Sequence, residues 1–428
     1  MLYILIYFLI IFITIKLFKH FGLIIFGKNM HPIGILIFFN IYLFSLAGVL
    51  IIYLGEFQSF INLGNIILTE KTINTITFWY FYSVFILFFT LMFFVNYMKN
   101  FSISTPLVDE YKNSKFIFLL IILKFIFIII LFSYIGFNNI PILNMINGDV
   151  TMARILKKQI MDEVIPGHIP YVTNFFKFLF PFSTLYIFNI FLTIKSKNKK
   201  YIILLIMSFL FDILYYTYKV EKSPLFIFSL TLIFLYISHK GINKNVYFFG
   251  GILTFIFVVF YTLYMQADFN SFVIESILSR LFIGQNLGMY YIYQLIEPSS
   301  DYLLNGLPLI NRFMEVGEKA DEVVMIKIFG ESLTNVNMNT YYLGEAYSSM
   351  GEAGFLISPF IVSFWIMAFM LLFRYLIRIN YFIFYPASFV IFSDLQMSQG
   401  FNFFLYGKWF LLPVVSILII YYLYKLIK

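Results

Sequence analysis

Ile117-Phe118-Leu119-Leu120-Ile121-Ile122-Leu123-Lys124-Phe125-Ile126-Phe127-Ile128-Ile129-Ile130-Leu131-Phe132-Ser133-Tyr134-Ile135-Gly136 runs for twenty residues with a single charge. A helix of about 20 apolar residues spans the hydrocarbon core of a bilayer. Water could not solvate such a segment, and lipid can, provided every backbone group bonds within the helix. The same pattern recurs outward from it in both directions. Apolar stretches lie near 1–18, 33–53, 76–97, 117–136, 171–193, 201–217, 224–238, 246–265, 353–373, 381–394 and 409–424. These predict an all-α, polytopic transmembrane bundle of about eleven spans, with 1–428 as one transmembrane domain. The stretches at 224–238 and 381–394 are short for a crossing. The apolar start, Met1 to Phe18, has no basic leader or small-residue cleavage site and reads as a retained helix.

Composition supports this reading. Hydrophobic residues make up 61% of the 428 and charged residues 12%, against about 25% charged in a soluble domain. Cysteine is absent, and the histidines His20, His31, His168 and His239 include no pair at metal-helix spacing. No metal and no cofactor is therefore expected. The formal charge of +8 reads as topology and contact with membrane lipids, with no nucleic acid partner.

The loops alternate in charge. One short set carries Lys16, Lys19 and Lys28, then Lys99, Lys112 and Lys115, then Lys195, Lys197, Lys199 and Lys200, then Lys240 and Lys244, then Arg374 and Arg378, then Lys425 and Lys428. Asp109 and Glu110 are the acids among them. The positive-inside rule makes this set cytoplasmic, with the N-terminus outside and the C-terminus inside. The opposite set holds two long loops, 137–170 and 266–352. Loops of that length are usually functional, so chemistry is expected on the outer face, which in a Gram-negative bacterium would be the periplasm.

Five residues of the 29 Lys and Arg are arginine: Arg154, Arg280, Arg312, Arg374 and Arg378. Arginine offers a permanent, forked charge that suits phosphate oxygens. Arg154 stands with Lys157 and Lys158 in a segment that Asp149 or Thr151 would cap as a helix. Three cations on adjacent turns suit a diphosphate, or else lipid headgroups. His168, in the rigid Pro166-Gly167-His168-Ile169-Pro170 turn, is a candidate acid–base or a headgroup-level histidine. Arg280 opens an apolar stretch, 280–291, that re-enters the membrane or lies on it. Arg312 has nearby acids to pair with. Asp212 falls inside a span, where an acid is either functional or bridged by Lys124 or Lys177. The turns at Lys219-Val220-Glu221-Lys222-Ser223-Pro224 and at Gly400, Asn402, Gly407 and Lys408 read foremost as solvated.

The most specific stretch is Asn339-Thr340-Tyr341-Tyr342-Leu343-Gly344-Glu345-Ala346-Tyr347-Ser348-Ser349-Met350-Gly351-Glu352-Ala353-Gly354-Phe355. A continuous helix would put Glu345 and Glu352 on one face. Glu345 is a candidate base for a sugar hydroxyl, with Tyr341, Tyr342 and Tyr347 as stacking surfaces for sugar rings. Gly351 and Gly354 permit close helix approach. The alternative is an interfacial aromatic belt.

From Thr340 to Phe355 the chain resembles the Wzy-type O-antigen, or oligosaccharide repeat-unit, polymerase family. The resemblance rests on Gly344-Glu345, Tyr347 and Gly351-Glu352-Ala353-Gly354 at the exit of a large outer loop. Arg154, the Lys222-Ser223-Pro224 turn and the layout of the whole chain agree with it. It implies a GT-C-like, metal-independent glycosyltransferase. Donor and acceptor would be glycans linked to undecaprenyl diphosphate, with a flippase and a chain-length regulator as further partners. For that reaction the chemistry of the residues themselves makes Arg154, Arg280, Glu345 and His168 the catalytic candidates. Lys157, Lys158, Arg312, Tyr341, Tyr342, Tyr347 and Glu352 would bind substrate. Competing readings are a lipid-linked oligosaccharide flippase, an O-antigen ligase and a non-catalytic envelope assembly protein.

Overall fold

The computed structural model describes residues 2–98, 101, 103, 106, 114–161, 164–169, 172–194, 199–221, 223–265, 271–304, 318–330, 338–395, 397–398 and 400–427. The described chain is helical, and no strand occurs among these residues. Seven helices are long and apolar enough to cross a membrane: Ile33–Tyr53, Glu70–Met98, Ser114–Ile135, Val172–Thr193, Lys199–Thr217, Ser223–Lys240 and Glu352–Ile379. The other four stretches expected from sequence are also helical, at Leu2–His20, Lys244–Met265, Tyr381–Asp394 and Lys408–Ile427.

The helices show which side meets lipid. In Glu70–Met98, Phe78, Phe85, Phe89, Phe93 and Tyr97 are exposed, while Ile76, Tyr80, Val84, Leu87, Leu91 and Val95 are buried. Both sets recur at helical spacing, so one face packs inward and the other presents large apolar side chains. Ser114–Ile135 divides the same way, with Phe118, Phe125 and Ile129 outward and Ile117, Lys124 and Leu131 inward. A water-soluble protein does not expose stripes of phenylalanine; in lipid they cost nothing.

Two packing events position the residues of the second long loop. Residues Ile37–Leu46, inside the helix over Ile33–Tyr53, are π-helical. The wider turn leaves the Phe44 carbonyl able to accept a bond from Asn286 Nδ2 at 2.9 Å. Asn286 Oδ1 also accepts from Ser45 Oγ at 2.8 Å. The apolar stretch 280–291 is thus docked into the bundle, with Tyr290 and Tyr291 fully buried. The second event is a helix break. Gly351 has φ 60 and ψ −143, a conformation open to glycine, between helices Tyr341–Met350 and Glu352–Ile379. Glu345 and Glu352 therefore do not share a helix face, contrary to the continuous-helix expectation. Close approach across the break requires Gly354, where a Cβ would collide with the Ala346 carbonyl.

The two long loops are built from short helices. The first contains Pro141–Ile146 and Val150–Met161. The second contains Ser271–Phe282, Leu287–Leu295, Asp301–Leu304, Ala320–Phe329 and Tyr341–Met350. Asp149 caps Val150–Met161, accepting from the Met152 amide at 2.8 Å.

Candidate functional site

Three cavities adjoin on the side of the bundle that carries both long loops. The central one, about 500 Å³, is lined by Lys157 of the first loop, Arg280 and Gln285 of the second, and Asn40. The Val220-Glu221-Ser223-Pro224 turn, Ser393 and Ser398 complete its polar wall. The helix capped by Asp149 therefore delivers Lys157 to the same space that Ser271–Phe282 gives Arg280. Lys157 Nζ lies 3.4 Å from the Val220 carbonyl. Val220 has φ 56, unusual for a β-branched residue, and is buried in this turn. Tyr218 anchors the turn by donating to the Gly167 carbonyl at 2.9 Å. Burial lowers the pKa of the neighbouring Lys219 ammonium, with Glu221 pulling it back up.

The second cavity, about 230 Å³, shares Ser398 with the first. Lys319, Asp321, Asn339, Thr340, Glu345 and Gly400 line it. Lys319 pairs with Glu322 at 2.9 Å, which raises its pKa and keeps it charged. Burial raises the Asp321 carboxyl, opposed by Lys319. Glu345 is half-buried and held from behind. Its Oε2 accepts the Asn402 backbone amide at 2.8 Å, and its Oε1 accepts Asn402 Nδ2 at 3.2 Å. The third cavity, about 210 Å³, shares Ser223, Pro224, Ile227 and Ser393 with the first. Its wall is mostly apolar, with Lys177 and Asp394 paired at 3.3 Å.

Lys157 and Arg280 thus line one cavity, Glu345 lines another that has Ser398 in common with it, and other expected residues line neither. Arg154 is half-buried and Lys158 exposed on the same helix as Lys157, outside the cavity lining. His168 is exposed in the loop and lines none of these cavities. Glu352 is exposed beyond the glycine break. Arg312 lies outside the described residues.

The tyrosines correct the stacking expectation. Tyr341 and Tyr342 are buried, their ring centroids 4.7 Å apart, against Tyr80 and Phe404. They serve as core and offer no open face to a sugar. Tyr347 stacks on Phe355 with centroids 5.0 Å apart and also meets Tyr293.

The turns read as solvated carry more of the site than expected. Glu221, Ser223 and Pro224 line the central cavity, and Gly400 and Asn402 surround Glu345. Their local signal was weak: short polar segments between spans resemble ordinary turns until tertiary contacts assemble them. Asp212, in contrast, takes the structural option with Lys124. The pair is 2.6 Å apart and fully buried, and it lines none of the three cavities.

No protein-family model, curated protein or solved structure matches this chain.

Proposed function

We propose that this chain is a membrane glycosyltransferase that polymerises lipid-diphosphate-linked oligosaccharide units on the outer face of a bacterial inner membrane. One observation carries the proposal. A cavity lined by Lys157 and Arg280 adjoins, at Ser398, a cavity lined by Glu345. Fixed cations suit a departing diphosphate, and a positioned carboxylate suits removal of a hydroxyl proton. The many-span bundle supplies lipid on every side for the carrier tails, and the resemblance over Thr340 to Phe355 points to the same chemistry.

The reaction balances without redox change. A hydroxyl oxygen of the acceptor unit attacks the anomeric carbon of the donor glycan and forms the new glycosidic bond. The bond from that carbon to the diphosphate oxygen breaks, and its electron pair leaves on the lipid diphosphate. Arg280 and Lys157 stabilise that charge. The hydroxyl proton passes to Glu345. Under this topology all eleven helices cross the membrane, the N-terminus is outside and the C-terminus cytoplasmic.

A deletion strain tests the reading. Single-repeat glycolipid in place of a ladder, restored by the wild-type gene, is the expected result. Glu345→Gln should fail to restore the ladder, with a rate about a thousandfold down, while the protein accumulates normally. Polymer retained on carrier lipid would make the chain a ligase. Substrate accumulating on the cytoplasmic leaflet would make it a flippase. Either result replaces the polymerase reading.

A further inference from the structure

We infer that Asn402 is a positioning residue that clamps Glu345 in its ionised form and aims it into the cavity shared with Lys319. The inference rests on the polymerase reading of Glu345 and adds the device that keeps the carboxylate ready.

Three observations converge on it. First, Asn402 grips both oxygens of one carboxylate, from its backbone amide at 2.8 Å and its side-chain amide at 3.2 Å. Hydrogen bonds donated to a carboxylate favour its charged form. Second, the orientation of the Asn402 amide is settled by its surroundings. Nδ2 also donates to the Tyr302 carbonyl at 3.0 Å. Turning the amide over would set Oδ1 against a carboxylate and a carbonyl, both acceptors. Asn402 is 3% exposed, and its Oδ1 finds no donor among the described residues. A buried asparagine that leaves its acceptor unmatched while using its donors is kept for donation. Third, the chain before it is shaped to the carboxylate. A Cβ on Gly400 would overlap the Glu345 side chain. Its φ of −64 is ordinary, so space is what calls for glycine here.

The surrounding charges fit this arrangement. Across the cavity stand Lys319, kept protonated by Glu322, and Asp321, whose carboxyl is raised by burial. Beside the clamp are the phenols of Tyr302 and Tyr406, both raised by burial; the Glu345 charge raises Tyr406 further. Tyr406 donates to the Leu303 carbonyl at 2.7 Å, which ties the clamp segment to the short helix Asp301–Leu304. The Lys319 ammonium and the two Asn402 N–H donors all favour the charged form of the carboxylate.

The test uses the full-length protein in lipid nanodiscs, with purified lipid-diphosphate-linked repeat units as substrate. Wild type, Glu345→Gln, Asn402→Ala, Asn402→Asp and Gly400→Ala are compared. Asn402→Ala should lower kcat by about tenfold to a hundredfold with little change in KM. Its acidic pH limb should move upward, because the proton now competes with one donor fewer. Asn402→Asp should move that limb further, by about one unit or more, since two carboxylates then share the site. Gly400→Ala should lower kcat as Asn402→Ala does, by displacing the carboxylate from its donors. Infrared difference spectra of wild type against Glu345→Gln report the Glu345 titration without substrate, and the midpoint should rise in Asn402→Ala.

The clamp is overturned if Asn402→Ala keeps the wild-type pH limb and infrared midpoint while Glu345→Gln is inactive; the base reading would then survive alone. Full activity in Glu345→Gln overturns both. A wild-type midpoint far above the ordinary glutamate value of about 4.3 overturns the clamp even where no Asn402 variant folds.

Discussion

Among the described residues, lysine and aspartate meet at two places in the bundle, and the two pairs behave as opposites. Lys124 and Asp212 lie 2.6 Å apart with neither side chain exposed. Lys177 and Asp394 lie 3.3 Å apart with side chains 58% and 37% exposed. The first pair is closed on all sides. Lys124 Nζ also faces Thr184 Oγ1 at 2.9 Å, Ser208 Oγ at 2.8 Å and the Ser208 carbonyl at 3.2 Å. Thr184 in turn donates to the second Asp212 oxygen. The second pair stands in the wall of an open cavity. A charge deep in a bundle thus signals structure when its partners enclose it, and a candidate for chemistry when a cavity opens beside it. Glu345 belongs to the second kind: it is held by Asn402 and lines a cavity.

The largest expected effect tests the closed pair. Asp212→Ala leaves an ammonium in the bundle interior with no counter-charge. Breaking a buried pair from one side costs about 3–5 kcal/mol. Thermal unfolding in detergent should show a large drop in stability, and yield should fall with it. A wild-type melting temperature would show that water reaches Lys124 and that the site is not closed. The double variant Lys124→Met, Asp212→Leu sharpens the contrast. Replacing both charges by apolar side chains of similar size is often neutral or better, so stability should return to within about 1 kcal/mol of wild type. Under the proposed function, polymer formation should persist, because the pair lines none of the three cavities. A folded but inactive double variant would move Lys124 and Asp212 from scaffold to mechanism.

Ser208→Ala is the intermediate case. It removes the hydroxyl that accepts from Lys124 and that also bonds Thr184 at 2.6 Å. The ammonium keeps Asp212, Thr184 and the Ser208 carbonyl, so the loss should be about 1–2 kcal/mol. A loss as large as that of Asp212→Ala would mean that the network fails as a unit.

Much of this contrast was legible in the sequence, and its decisive part was not. Spans such as 117–136 declare themselves, because a run of twenty residues with a single charge has one comfortable solvent. Asp212 stood out for the converse reason. Which lysine would meet it did not, since Lys124 and Lys177 sit on different helices and packing chooses between them. The glycine break at Gly351 defeated the inference that Glu345 and Glu352 share a face. That inference held the helix continuous, and a single φ of 60 ended it. Asn402 lies 57 residues from Glu345 in sequence, so no local pattern joins them. Tyr341 and Tyr342 looked like sugar platforms because aromatic rings serve both roles; burial decided for core.

The exposed pair gives the smallest effect and the sharpest control. Lys177 and Asp394 are more than a third exposed, so solvent screens their attraction and the side chains lose entropy by pairing. Lys177→Ala should therefore cost about 0.2–1 kcal/mol. Raising salt should weaken wild type by a similar amount and leave the variant unchanged, because ions screen an open pair over a Debye length of about 8 Å near physiological strength. The Lys124–Asp212 pair should ignore the same salt. Were Lys177→Ala to cost as much as Asp212→Ala, and without salt dependence, the cavity beside Asp394 would have to exclude water as firmly as the bundle core does. Exposure would then fail as the property separating the two pairs, and the structural reading of Asp212 would lose its physical basis.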